Sequence, residues 1–223
     1  MTGHPLAFHG ADLRALASGA LFWPDRALLV VSDLHFGKSA RLSAVGGAQL
    51  PPYETRETLQ KLETDLETTS ARSVVCLGDS FDTPDVETAL PKADRLWITH
   101  LQAGRDWVWI EGNHDPGPVR LGGAHLAQIT IGPLTFRHIA ASDPRAEISG
   151  HYHPKARIPL RGRSLTRPCF LVDQQRIILP AYGAFTGGLH SHSAALCALM
   201  APNARAILTG SPQVEIAMPR AAT

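Results

Sequence analysis

The sequence predicts an α/β fold with two packed mixed β-sheets flanked by helices. Three observations lead there. Apolar, β-rich runs at 26–33, 73–79 and 105–110 are separated by segments long enough to hold helices, the signature of strands joined by crossover helices. The segment 54–69 carries a helical apolar stripe. Past residue 125 the pattern changes to short strands at close intervals with turn residues between them, which suits a mainly antiparallel second sheet.

The elements follow in order. "RALLVVSD" (26–33) reads as a strand buried on both faces. The stretch after it, 34–54, is rich in Gly and Pro and reads as a long irregular loop. In "ETRETLQKLETDLETT" (54–69), Leu59, Leu62 and Leu66 recur three and four apart and form one apolar helix stripe. "SVVCLGD" (73–79) is a second buried strand. A weaker helical pattern over 85–104 is interrupted by Pro91, and "DWVWI" (106–110) is a third strand. Then "AQITIG" and "LTFRH" flank "GP", and "AEISGHYH", "RIPL", "PCFLVD" and "RIILPAYG" continue the series. Without a repeat, a low-complexity run or a linker, residues 1–223 read as one domain.

Composition narrows the function classes. The 223 residues are 44% hydrophobic and 18% charged, as in ordinary globular proteins. With 21 Lys and Arg against 20 Asp and Glu, the net charge is +1. Polyanion binding must therefore come from a local patch or from bound metal. Cys76, Cys169 and Cys197 form no CxxC pair, and read as small hydrophobes of a reducing compartment. The start, "MTGHPLAFHG", has no signal-peptide pattern, and no apolar run is long enough for a membrane span. A cytoplasmic protein is the expectation.

Polar residues collect where strands end. The ends read Asp33-Leu-His35, then Gly78-Asp79 with Asp82 three residues on, and Gly112-Asn113-His114-Asp115. His138 and Gly150-His151-Tyr-His153 follow. In open α/β sheets, ligands bind at the carboxyl ends of strands. A lone D-x-H is common, and Gly-Asp after a strand is often a plain turn; five such ends in one chain are a pattern. Carboxylate with imidazole suits Mn²⁺, Fe²⁺ or Zn²⁺, with Mn²⁺ first, and no thiolate lies nearby. Seven candidates (Asp33, His35, Asp79, Asn113, His138, His151 and His153) are too many for one tetrahedral ion. They suit two divalent metal ions that clamp a phosphoryl group, with a metal-bridging hydroxide as nucleophile.

This motif order resembles that of the calcineurin-like metallophosphoesterase superfamily. "SDLHFGKSARL", "AEISGHYHPKARI", "RPCFLVD" and "LPAYGAFTGGL" further resemble a small bacterial subgroup, the ligase-associated DNA damage response endonucleases (PdeM-type). The resemblance implies a metallophosphoesterase-type α/β/β/α sandwich and a hydrolase of phosphodiester bonds, a DNA endonuclease linked to DNA repair. It also implies DNA ligase and helicase partners. Asp33, His35 and His153 would hold one ion, and Asn113, His138 and His151 the other, with Asp79 bridging. His114 would contact the phosphoryl oxygen or protonate the leaving oxygen, oriented by Asp82.

Lys38 and Arg41 are candidates to bind a substrate phosphate, the alternative being solvated loop cations. A basic strip of Lys38, Arg41, Lys155, Arg157, Arg161, Arg163 and Arg167 offers a local site for DNA. Two other readings stay open: a hydrolase of small phosphodiesters, nucleotides or pyrophosphates, and a non-catalytic metal-bound scaffold. Asp115 is expected to cap its own turn, and "LPAYGAFTGGL" (179–189) has no assigned role.

Overall fold

The computed structural model describes residues 3–44, 53–83, 85, 90–117, 120–142, 145–160 and 163–220. Two mixed sheets pack face to face with helices on their outer faces. The first runs in the order β1 (His4–Phe8), β2 (Ala11–Ala15), β3 (Leu21–Trp23), β4 (Leu28–Val31), β5 (Ser73–Cys76), β6 (Asp106–Ile110), β7 (Ala124–Leu126). From β4 to β7 it is parallel, and from β1 to β4 antiparallel. The parallel half matches the expected crossover pattern. The antiparallel half has little signal in sequence, because "HPLAF" and "ADLRA" carry Ala, Asp and Pro in place of β-branched residues.

The second sheet uses β8 (Gln128–Ile131), β9 (Leu134–Arg137), β10 (Glu147–Ser149), β12 (Arg163–Val172), β13 (Arg176–Ile178), β14 (Arg205–Leu208) and β15 (Glu215–Ala217). β10 runs parallel to β9 and β13, and the remaining pairs are antiparallel. β11 (Lys155–Leu160) pairs with β12 and stands off the main order.

Side-chain alternation explains the layering. In β4, Leu28 and Val30 face the second sheet, while Leu29 and Val31 face the helices. In β12, Phe170 and Val172 face the first sheet, and Cys169 and Leu171 the outer layer. The central cluster draws Leu28, Val75 and Ile110 from one sheet and Phe136, Ile148 and Ile207 from the other.

α2 (Glu54–Thr69) has the bounds its stripe predicts, and buries Leu59, Leu62 and Leu66 on the first sheet. α3 (Lys92–Gln102) packs beside it through Ile98 and Leu101, with Arg56 and Asp94 paired at 3.1 Å. Pro91 sits before the first turn of α3 and so opens the helix; residues 86–89 of the expected helix lie outside the described residues. α4 (Ala194–Leu199) covers the second sheet.

The loop expected over 34–54 needs correction: Lys38–Ala44 is a helix, α1. Gly37, at φ 84°, ends the preceding turn, and "KSARLSA" contains neither Gly nor Pro. Residues 45–52 lie outside the described residues, as does Arg161.

A candidate dinuclear metal site between the two sheets

The loops after β4 and β5 continue side by side beyond their strands. The amides of Asp33, His35 and Phe36 donate to the carbonyls of Gly78, Asp79 and Ser80 at 3.2, 2.9 and 2.9 Å. This irregular ladder needs unusual backbone. Asp33 (φ 53°), His35 (φ 50°), Asp79 (φ 45°), His151 (φ 71°) and His153 (φ 46°) all lie in the left-handed region. That region is disfavoured for residues with a Cβ, and strain of this kind gathers at functional sites. Left-handed residues at i and i+2 bring both side chains of Asp33-Leu-His35, and of His151-Tyr-His153, to one side.

The seven expected ligands form two groups. Asp33, His35 and His153 make one, and Asp79, His138 and His151 the other; within each, one ligand atom per residue lies within 4.8 Å of the rest. Asn113 joins the second through Oδ1, 3.0 Å from His138 Nε2. The groups adjoin, since the His151 amide donates to Asp33 Oδ2 at 3.0 Å. Asp79 sits with the second group, while its carbonyl accepts from the His35 amide beside the first. Asp33, Asp79, His35 and His138 are buried, His151 and His153 half-buried, and Asn113 is exposed.

Hydrogen bonding alone indicates that these groups suit cations. His138 Nδ1 donates to the Leu77 carbonyl at 2.7 Å, so the lone pair of a neutral ring lies on Nε2. That atom faces Asp79 Oδ2 at 3.4 Å and His151 Nδ1 at 3.2 Å. His35 Nδ1 donates to Asp82 Oδ1 at 3.0 Å, which turns its Nε2 lone pair toward His153 Nε2 at 3.5 Å. Asp33 Oδ1 is buried and faces His153 Nε2 at 3.0 Å, where a proton or a cation must stand between them. Imidazole nitrogens and carboxylate oxygens converging at these distances call for positive charge between them, from protons or from bound cations.

Without a bound cation, the carboxylates draw protons onto the imidazoles instead. Burial opposes ionisation of Asp33, yet His153 and His138 hold its carboxyl below the usual range. Burial likewise opposes ionisation of Asp79, and His138 overcomes it. Burial lowers His138 but Asp79 and Asp33 raise it further, while burial and the charge of His138 lower His151.

The other expected site residues divide. His114 donates its amide to Asp79 Oδ1 at 2.8 Å. Its half-buried ring stands edge-on to His35 with centroids 5.5 Å apart, and no ring hydrogen bond is found among the described residues. Lys38 opens α1, with its amide on the His35 carbonyl at 3.3 Å. Asp82 corrects the expectation that it orients His114. Its Oδ1 accepts from His35 and its Oδ2 from Arg41, so it fixes the tautomer of a candidate ligand. Arg41 is thereby held in an ion pair with a buried carboxylate and is no solvated loop cation.

Three supports escaped sequence reading. Asp115, expected to cap its own turn, does more. Its oxygens accept from the amides of Asp79 (3.0 Å), Ser80 (2.8 Å), Phe81 (3.2 Å) and Gly112 (3.0 Å). It stitches the loop after β6 to the loop after β5. Burial, with the charge of Asp79 adding to it, raises its carboxyl to about 6. Gly112 is not left-handed; it is needed because a Cβ there would lie 2.2 Å from the Asp79 amide nitrogen. Ser32 donates to Asp33 Oδ2, and a lone serine carries no signal of that role.

The third support is the unassigned segment 179–189. The amides of Tyr182 and Gly183 donate to the carbonyls of Ser32 and Asp33 at 2.7 and 3.1 Å. A Cβ on Gly183 would lie 2.2 Å from the Leu34 carbonyl oxygen. The segment therefore braces the first ligand turn from behind. An open cleft of about 410 Å³, lined by Asn113, Gln128, Arg137 and His138, lies against the second group.

Carboxylates and an amide at the ends of β4, β5 and β6 face imidazoles at the ends of β9 and β10, and this arrangement agrees with the comparison to known families. The family model for calcineurin-like phosphoesterases matches residues 27–210. The chain belongs to that family, the metal-dependent phosphoesterases. Among solved structures it is similar to the Pseudomonas putida nuclease MPE, at 28% identity and a TM-score of 0.72, over 96% of this chain and 100% of that one. No curated protein matches the chain.

Proposed function

We propose that the protein hydrolyses phosphodiester bonds by a two-metal mechanism and that its substrate is DNA, as an endonuclease of DNA repair. The observation that carries this reading is the pair of ligand groups adjoining across two sheets, with the unbonded ring of His114 beside them. When bound, two divalent cations, Mn²⁺ first, supply Lewis acidity and a nucleophile derived from water. Asp33, His35 and His153 would hold one, and Asn113, His138 and His151 the other, with Asp79 between them. Asn113 adds an oxygen ligand without adding negative charge that would repel a phosphate.

In this reading His114 donates a proton to the leaving oxygen, and its amide bond to Asp79 sets its place. Lys38 meets a substrate phosphate. Arg41 acts first through Asp82, screening that buried carboxylate while His35 keeps its Nε2 lone pair free. The similar Pseudomonas putida protein is a nuclease, which supports a polynucleotide substrate. Residues 1–223 act as one domain, since a single apolar cluster takes side chains from both sheets. Cysteines without disulfide partners suit the cytoplasm, and no helix among the described residues is long and apolar enough to cross a membrane. Ligase and helicase partners belong to the same proposal.

Hydrolysis of bis-p-nitrophenyl phosphate with added Mn²⁺ tests the chemistry, comparing wild type, Asp79→Asn and His114→Ala. Wild type turns over and both variants lose activity; full activity in Asp79→Asn would sink the two-metal mechanism. Nicked, single-stranded and duplex DNA assayed beside cyclic and dinucleoside phosphates tests the substrate. Robust turnover of a small diester with no DNA cleavage favours the small-phosphodiester reading, to which the cleft of about 410 Å³ lends support. The intact ligand set and His114 argue against a mere scaffold.

A further inference from the structure

β11 and the first half of β12 form a two-stranded ribbon outside the main sheet order. β12 pairs with β13 and β14 only from Cys169 onward. The ribbon begins at Lys155, two residues past the ligand His153. An isolated pair of strands is marginal by itself, and one face of this one is anchored. Ala156 and Ile158 pack on the outer cluster of the second sheet.

The cross-strand register puts Arg157 opposite Thr166 on the other face, with Ser164 on that same face two pairs further on; Arg163, opposite Leu160, alternates to the first face at the turn. Arg157, Ser164 and Thr166 are exposed, as is Arg163. Residues 155–168 contain no Asp or Glu, nor do residues 184–193 beside them. The side chains of Arg157 and Arg163 have no hydrogen bond or ion pair among the described residues. Arg41, Arg56, Arg137, Arg176 and Arg205 are each paired with a carboxylate. Arg14, Arg72, Arg95, Arg120 and Arg145 likewise show no side-chain bond among the described residues; what sets the ribbon apart is two such arginines on a stretch free of carboxylates, beginning two residues past His153.

A second feature adjoins it. Lys155 Nζ donates to the Thr186 carbonyl at 3.0 Å, which ties the ribbon to the segment bracing Asp33. Phe185 in that segment is 48% exposed and Tyr53 55%, and their rings meet edge-on with centroids 6.5 Å apart. Phe185 is also left-handed, at φ 53°. Two large aromatics held at the surface beside a basic strip match the way proteins bind unpaired nucleic acid, with cations on the backbone and aromatic rings under the bases.

We propose that the ribbon and this aromatic pair form a track for an unpaired DNA strand leading to the metal ligands. Arg157, Ser164 and Thr166 take backbone phosphates along the free face, Arg163 takes one where the DNA strand rounds the turn, and a base stacks on Phe185 or Tyr53. Six residues of strand span roughly 20 Å, enough for several nucleotides. The track deepens the nuclease reading and rests on it, so its test is binding without catalysis.

Fluorescence anisotropy in EDTA, with labelled twelve-nucleotide oligo(dT) and a blunt duplex of equal length, reads the track. The double substitution Arg157→Ala with Arg163→Ala should weaken oligo(dT) binding roughly tenfold near 0.1 M salt. It should also flatten the slope of log K against log salt by about 1.4, or 0.7 per lost phosphate contact. Phe185→Ser should weaken binding about fivefold or more and leave the slope unchanged. All these variants should hydrolyse bis-p-nitrophenyl phosphate with Mn²⁺ as wild type does.

Unchanged affinity and slope in the double variant overturn the proposal. Loss of small-diester turnover in step with DNA binding overturns it too, because the substitutions then act on the site itself. Tighter wild-type binding of the duplex than of oligo(dT) overturns the unpaired strand as occupant. Salt-dependent oligo(dT) binding through the ribbon, in a protein inert toward bis-p-nitrophenyl phosphate, leaves the track standing and removes the phosphoesterase mechanism.

Discussion

The two sheets contribute unlike halves to one site. The first supplies the oxygens, from Asp33, Asp79 and Asn113, with one imidazole from His35. The second supplies imidazoles alone, from His138, His151 and His153. Left-handed residues occur in both halves, at Asp33, His35 and Asp79 in the first and at His151 and His153 in the second, but the charged half is also laced together by backbone bonds and by Asp115. The second sheet's half rests on bonds that include His138 on the Leu77 carbonyl at 2.7 Å and the Gly150 amide on the His138 carbonyl at 3.0 Å. Each ligand group mixes the halves, so neither sheet makes a site alone. The negative charge and most of the supporting structure lie on one side. Substitutions there should cost more.

The largest test breaks the charged half. Asp79→Asn keeps shape and removes the charge, and should lower phosphodiesterase activity by roughly 10³-fold. His151→Ala, which removes a neutral ligand, should lower it less. Equal losses in steady-state assays would mean that the division into halves has no energetic content. The supporting carboxylate comes next. Asp82→Asn should weaken Mn²⁺ affinity and activity by about 10- to 100-fold, read by metal titration, since His35 then lacks its anionic acceptor. An effect on His114 alone, seen as a changed pH–rate profile at unchanged Mn²⁺ affinity, would restore the expected Asp82–His114 link.

Gly112→Ala sharpens the comparison through stability. Its Cβ would meet the Asp79 amide at 2.2 Å and Asp115 Oδ1 at 2.5 Å. The protein should lose about 1–3 kcal/mol, seen in urea denaturation, and activity should fall with it. The smallest effect lies behind the first ligand turn. Burial holds Lys61 down at about 8, and its Nζ donates to the Tyr182 carbonyl. The unfolded chain keeps this proton to about 10.5 while the folded one loses it near 8. The unfolded state then binds more protons in that window, so this group's contribution makes stability rise from pH 8 to 10.5. Lys61→Met should flatten that rise in a series of thermal melts.

The halves also differ in what could be read from sequence. In the first, "ALLVV", "SVVC" and "DWVWI" are buried strands of the parallel core, and a purely local apolar pattern announces each. The stripe Leu59, Leu62, Leu66 likewise set the helix 54–69 by its own spacing. The Asp, Asn and His at the strand ends were legible because few plain turns place those three types together. α1 was hidden by Gly and Pro on either side of it, and β1 to β3 by weak β propensity. The bond from Asp82 to His35 was misassigned because proximity along the chain says nothing about which of two neighbouring histidines a carboxylate faces. Asp115 could be suspected from its motif but not assigned, since three of its four donors belong to a loop some 35 residues away.

By itself the sequence determined the layered α/β class, the family motif and the candidate ligand set, all carried by local patterns and residue types. The tertiary structure decided the rest. It sorted the candidate ligands into two groups, gave Asp115 and the pair Tyr182 and Gly183 their bracing roles, and left Arg157 and Arg163 without side-chain partners among the described residues. These outcomes depend on which loops meet across the sheets. Packing holds left-handed turns and close glycine contacts that no segment would adopt alone, and it brings together residues more than a hundred positions apart.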